Sequence, residues 1–264
     1  MLIARTALIL AHLIVSTAPY SNATAIVILR GPRGTKMIVA ADSEFAIAGA
    51  TPAKACKIVQ VERRYWTAIS GLASEPETHF DAFEIAAAAA SHHPNSLDDI
   101  AIEARDRTLA VLPASLKHER KVVGEKTFWH EHEDGFDAQE EAFWGVEDGT
   151  VRLVYVQFVL HRKRFGRIRL SAAIHTCPGD LCPDQASAIA VFLGHHKVID
   201  KFRTENADWA ARGTMESVAK QLIEMEIESE PDCHCSAPVT MLRMDRFGHA
   251  NWVDEMGPSC QMPH

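Results

Sequence analysis

The sequence predicts an α+β fold built from packed layers. Three observations carry that reading. Four short β-rich runs separated by turns occupy residues 24–71, two helical stretches follow, and a second β region begins at Ala142. Strands followed by helices in blocks, rather than in strict alternation, point to this class.

The elements follow in order. Thr24 to Leu29 (TAIVIL) and Met37 to Ala41 (MIVAA) flank the turn Arg30-Gly31-Pro32-Arg33-Gly34. β-Branched and aliphatic runs around a Gly/Pro turn read as a hairpin. The second run stops at Asp42-Ser43, and a loop with Gly49 and Pro52 leads to a third strand, Lys57 to Val61. Arg63 and Arg64 turn the chain into Tyr65 to Ser70, and Gly71 ends that fourth strand. Glu75 to Ser91 is helical in composition, with five consecutive alanines at 86–90. Ser96 with Asp99 three residues on resembles a capping box and opens a helix to about Leu112.

Residues 113–141 are polar and mixed in charge, and read as a helix end and a long surface loop. His130, Glu131, His132 and Glu133 lie within it as a solvated cluster rather than a metal site. The second β region has Asp148-Gly149 as its hairpin turn. A basic stretch covers 161–169, and Ala186 to Leu193 leads to Gly194-His195-His196. Met215 to Glu228 reads as a helix, then Val239–Met244 and His249–Val253 as two strands. Without repeats or a low-complexity linker, residues 24–264 read as one domain.

The first 23 residues read differently. Arg5 is followed by an apolar run, Ala7 to Val15, and then by the polar stretch Ser16 to Ala23. A basic start, a brief apolar core and small residues before a cut are the pattern of a secretory signal peptide. The apolar run is shorter than the ~20 residues that span a bilayer. Ser21-Asn22-Ala23 supplies the small residues for a cut that leaves Thr24 first. The expected protein is therefore secreted or periplasmic, with no membrane segment once the signal is removed. The formal net charge of −8 argues against nucleic acid as a partner. Cys56, Cys177, Cys182, Cys233, Cys235 and Cys260 make an even count, which in an exported chain favours disulfides. Metal ligation stays open beside that, but Cys-x4-Cys and Cys-His-Cys do not match a standard zinc spacing. No cofactor or metal is expected.

A threonine at a mature N-terminus carries its own chemistry. Its hydroxyl can attack, and its α-amino group, with an unperturbed pKa of ~7.7–8.0, can act as the base. Asp42, Lys57 and Gly71 are candidate partners, since adjacent strands can bring their ends together. Each has an ordinary reading as well: a strand-end turn, a surface charge and a turn glycine.

Taken together, Thr24-Ala-Ile-Val-Ile, Gly31…Gly34, Met37-Ile-Val-Ala-Ala-Asp42-Ser43, Gly49, Lys57-Ile58 and Ile69-Ser-Gly71-Leu-Ala resemble a proteasome β-type subunit. That family lies within the N-terminal-nucleophile (Ntn) hydrolases, and the close resemblance covers residues 24–75. It implies a four-layer αββα sandwich, two β-sheets between helical layers. It implies Thr24 as nucleophile and base, and Lys57 beside it with Asp42 orienting the lysine. The Gly71 N–H would donate into the oxyanion hole. Phe45, Ile69 and Ala73 would line an apolar specificity pocket. Asp232 matches the family's later acid, whereas Cys235 or Ser236 stands for its serine and the following glycines are missing. His195-His196 stand where another family serine is expected. The implied activity is hydrolysis of an amide, in a peptide or in a small molecule. Rings of subunits, hence a homo-oligomer, are implied too. An inactive Ntn-fold binding or structural protein is the competing expectation.

Overall fold

The computed structural model describes residues 24–45, 53–54, 56–132, 135, 137–164, 167–182, 186, 188–229, 235 and 237–253. The signal-peptide segment, Gly49, Pro52 and Asp232 lie outside them.

In chain order the strands before the first helix are β1 (Ala25–Arg30), β2 (Lys36–Ala41), β3 (Glu44–Phe45), β4 (Ala53–Lys54), β5 (Ile58–Glu62), β6 (Tyr65–Gly71), β7 (Ser74–Glu75) and β8 (Phe80–Asp81). Then come α1 (Ala82–His92), α2 (Leu97–Val123) and α3 (Glu125–Glu131). The second β region is β9 (Asp137–Glu147), β10 (Thr150–Arg162), β11 (Ile168–Cys177) and β12 (Ile189–Gly194). The chain ends with α4 (Lys197–Glu205), α5 (Met215–Ser229), β13 (Thr240–Asp245) and β14 (Ala250–Trp252).

The result is a mixed α/β protein with two five-stranded antiparallel sheets. One runs β12-β1-β2-β13-β14 and the other β11-β10-β9-β6-β5. Strand alternation sorts the side chains into three apolar clusters. Ile26, Ile28, Met37 and Val39 of the first sheet meet Trp66, Ala68, Ala142 and Trp144 of the second. The opposite face of the first sheet, with Ala25, Val27, Ile38 and Ala40, packs on Val218, Leu222 and Ile223 of α5. The opposite face of the second, with Tyr65, Ile69 and Phe143, packs on Ala86, Ala90, Ile100 and Leu112 of α1 and α2.

Local chemistry agrees with several expectations. Ser96 caps α2 by accepting the Asp99 N–H at 3.2 Å. Asp148 and Gly149 both have positive φ, 50° and 71°, as a tight hairpin turn requires. Cys177 and Cys182 form a disulfide, and Cys56 and Cys235 are disulfide-bonded as well. No helix among the described residues is long and apolar enough to cross a membrane.

The expected surface loop at 113–141 is corrected. α2 runs on through Pro113 to Val123, α3 follows, and β9 begins at Asp137. Pro113 lacks an N–H for the helix ladder, but packing compensates: Leu112 and Leu116 are fully buried against the second sheet. His132, expected in solvent, is buried and faces buried Glu119 at 3.1 Å.

Candidate functional site

Thr24 immediately precedes β1, the strand held between β12 and β2. Both neighbours grip the start of this strand. On one side the His195 N–H donates to the Thr24 carbonyl at 2.7 Å. On the other, the Ala25 N–H donates to Asp42 Oδ1 at 2.9 Å, and the Asp42 N–H returns a bond to the Ala25 carbonyl at 3.2 Å. Thr24 is 7 % exposed.

Asp42 follows β2 in the first sheet, and Lys57 precedes β5 in the second. Lys57 Nζ donates to Asp42 Oδ1 at 2.7 Å, and both side chains are buried. This ion pair therefore joins the two sheets beside Thr24. A charged pair so placed has given up its hydration, and it persists because each charge has the other. Ser43 adds an anchor, donating its hydroxyl to the Pro238 carbonyl just ahead of β13.

Gly71 ends β6 with φ of 90°. A Cβ there would lie 2.4 Å from the Ala138 carbonyl oxygen, so only glycine fits. Ser70, just before it, faces the space between the sheets and donates to Glu140 Oε2 at 3.1 Å. Glu140 also accepts from the Tyr155 hydroxyl and from the Gly194 N–H. Burial pushes the Glu140 carboxyl up, while these hydrogen bonds pull it back. The same burial, with Glu140 alongside, pushes the Tyr155 phenol up. Gly194 has φ of 75°, and a Cβ on it would sit 1.9 Å from the Thr24 carbonyl oxygen and 3.3 Å from Ser70 Cβ. A second polar tie between the sheets thus lies on the β12 side of Thr24.

The next glutamate points the other way. Glu141 is fully buried on the helix side, accepting from Thr108 Oγ1 at 3.1 Å and Gln139 Nε2 at 2.5 Å. Burial raises its carboxyl to about 7. Beyond β12, His195 Nδ1 lies 3.4 Å from Glu226 Oε1, a fully buried carboxylate on α5.

Of the sequence-selected residues, Asp42 and Lys57 pair directly, and Asp42 reaches the backbone of Ala25, the residue after Thr24. Gly71 joins them through Ser70 and Gly194. Ile69 is buried in the cluster under α1 and α2, and Ala73 is buried with its carbonyl bonded to the Ala82 N–H. Phe45 lies in β3, paired with Ala53. Sequence reasoning missed Glu140 altogether, because Glu140-Glu141 closes a polar stretch. The signal available was the run Ala142-Phe143-Trp144 directly after it, a buried strand extended by one more turn of alternation. Among the described residues no group of three or more His, Cys, Asp or Glu side chains is arranged to hold a metal.

No protein-family model matches the chain, and neither does any curated protein. Among solved structures it is similar to Anbu, a Gly-1 mutant from Hyphomicrobium sp. strain MC1, at 14% identity and a TM-score of 0.43. The similarity spans 88% of this chain and 88% of that one. At this identity and score the likeness assigns neither a family nor an activity.

Proposed function

We propose that this chain is an exported N-terminal-threonine hydrolase of the Ntn type, acting on an amide bond, most simply in a peptide. The observation that carries the proposal is the shared oxygen of Asp42. It binds Lys57 Nζ and the Ala25 N–H at once, so a buried cation is fixed against the residue that follows Thr24. A positive charge beside an α-amine lowers its pKa and keeps it neutral, hence able to take the hydroxyl proton. In this reading the two sheets with α1–α2 and α4–α5 outside them form the four layers of the αββα sandwich.

The steps follow from that arrangement. Signal cleavage after Ala23 frees the Thr24 amine. Thr24 Oγ attacks the amide carbon while the amine takes its proton. The Gly71 N–H supports the oxyanion, a contribution whose loss typically costs ~3–4 kcal/mol. Collapse breaks the C–N bond, and the amine returns the proton to the leaving nitrogen. Water then cleaves the ester. Asp232 would complete the site from a segment outside the described residues. Phe45, Ile69 and Ala73 are proposed to line an apolar pocket for the substrate. The Cys177–Cys182 disulfide supports export, since such bonds persist in oxidising compartments.

The competing reading is an inactive Ntn-fold binding protein. It takes its support from His195, whose imidazole faces Glu226 where the resembled family has serine. Treatment of the mature protein with a β-lactone, followed by mass spectrometry, separates the two. Acylation on Thr24 is expected. An unlabelled protein with a confirmed Thr24 start sinks the hydrolase.

A further inference from the structure

Glu140 is a buried carboxylate in the space between the sheets, with the Asp137 carboxylate near enough to repel it. Its three donors come from three different strands. Ser70 belongs to β6, Tyr155 to β10 and Gly194 to β12. Two of these positions adjoin the proposed chemistry. Ser70 is covalently joined to Gly71, the proposed oxyanion donor. Gly194 sits against the Thr24 carbonyl and precedes His195, whose N–H binds that carbonyl. Ser70 and Gly194 share one oxygen, Oε2, so a single atom fixes their separation.

We propose that Glu140 is a positioning residue that sets the distance between Thr24 and the Gly71 N–H by holding β12 and β6 to one carboxylate oxygen. This rests on the reading of Thr24 as the nucleophile. The chemistry of the donor set supports it. Three donors converging on one group need an acceptor, and a carboxylate offers two oxygens with no hydrogen in the way. Glutamine would keep an acceptor for Ser70 and Gly194 and turn its NH2 to the Tyr155 hydroxyl, which can accept, whereas leucine leaves all three donors without an acceptor. Buried donors left without an acceptor are costly, and the loss lets the strands move apart. Misplacing reacting groups by about 1 Å can cost on the order of 100-fold in rate.

The test uses the mature protein and a β-lactone titrated against time, giving kinact and KI separately. Periodate oxidation of the same samples reports the free N-terminal amino alcohol of Thr24, which needs no positioning. For Glu140→Leu the expected result is a kinact reduced at least about tenfold, with KI within about twofold and the periodate reaction unchanged. Ser70→Ala removes one donor from Oε2 and is expected to lower kinact in the same direction; it serves if Glu140→Leu does not fold. A merely structural role would lower the melting temperature and leave kinact of the folded fraction intact. Wild-type kinact in folded Glu140→Leu, or in folded Ser70→Ala, overturns the positioning role alone. A wild-type protein that gives the periodate aldehyde but resists the lactone overturns the nucleophile assignment, and this role with it.

Discussion

Lys57 Nζ lies 2.7 Å from Asp42 Oδ1, and the two residues adjoin strands of different sheets. The same oxygen holds the Ala25 N–H. The contact is therefore both a weld between sheets and a fixed charge beside Thr24, and the two roles can be separated experimentally.

Lys57→Met leaves Asp42 charged and buried without its cation. Removing one partner of a buried pair typically costs about 3–5 kcal/mol. That loss is expected in urea denaturation of Lys57→Met. The double variant Lys57→Met with Asp42→Asn should recover part of the stability while remaining unreactive to the lactone. Recovered stability with restored reactivity would show that the charge has no chemical role.

Thr24→Ala should abolish acylation, and Thr24→Ser should keep it measurable, since serine retains both hydroxyl and amine. Equal labelling of all three proteins would place the nucleophile elsewhere. Peptide mapping of the adduct reads this directly.

Gly194→Ala probes the seam between β12 and Thr24. Left-handed backbone costs an L-residue roughly 1–2 kcal/mol. Gly149, with φ of 71° and open space around it, isolates that strain. Gly194→Ala adds a Cβ 1.9 Å from backbone oxygen, so it should lose clearly more stability than Gly149→Ala. Similar melting temperatures for the two would mean that the seam relaxes.

Glu141 gives a pH signature. Its folded carboxyl is raised to about 7 by burial, above the ordinary value of 4.5. The protonated form is thus favoured by folding. That contribution is complete below pH 4.5, declines as pH rises, and is gone above about 7. The shift corresponds to about 3 kcal/mol. Glu141→Gln should match wild type near pH 4.5 and exceed its stability near pH 7.5. Parallel stability curves for the two proteins across that range would contradict this.

The part of the fold legible in the sequence was the part written in alternation and turn chemistry. Thr24 to Gly71 shows short apolar runs closed by Gly, Pro and Arg, and its strands emerged with edges shifted by a residue or two. Ser96 and Asp148-Gly149 act through local hydrogen bonds and local φ, so their effects are readable without tertiary context. Residues 113–141 were misread because their polar side chains find partners far away in sequence. Glu119 meets His132, and Glu141 meets Thr108. Pro113 reads locally as a helix end, and only burial of Leu112 and Leu116 overrides it. The same limitation hid Glu140, whose donors Tyr155, Gly194 and Ser70 lie 15, 54 and 70 residues away. Thr24, Asp42 and Lys57 were legible as an ordered set. Their convergence depends on strand pairing, which spacing alone does not encode.

Among the described residues, the hydrogen bonds that secure the start of β1 lie on the carboxyl side of the bond before Thr24. They use the Thr24 carbonyl, the Ala25 N–H and the Ala25 carbonyl. Cutting the chain between Ala23 and Thr24 therefore breaks no rung among the described residues. On the proposed maturation, the cut would leave this seam as it stands, and what it would release is reactivity.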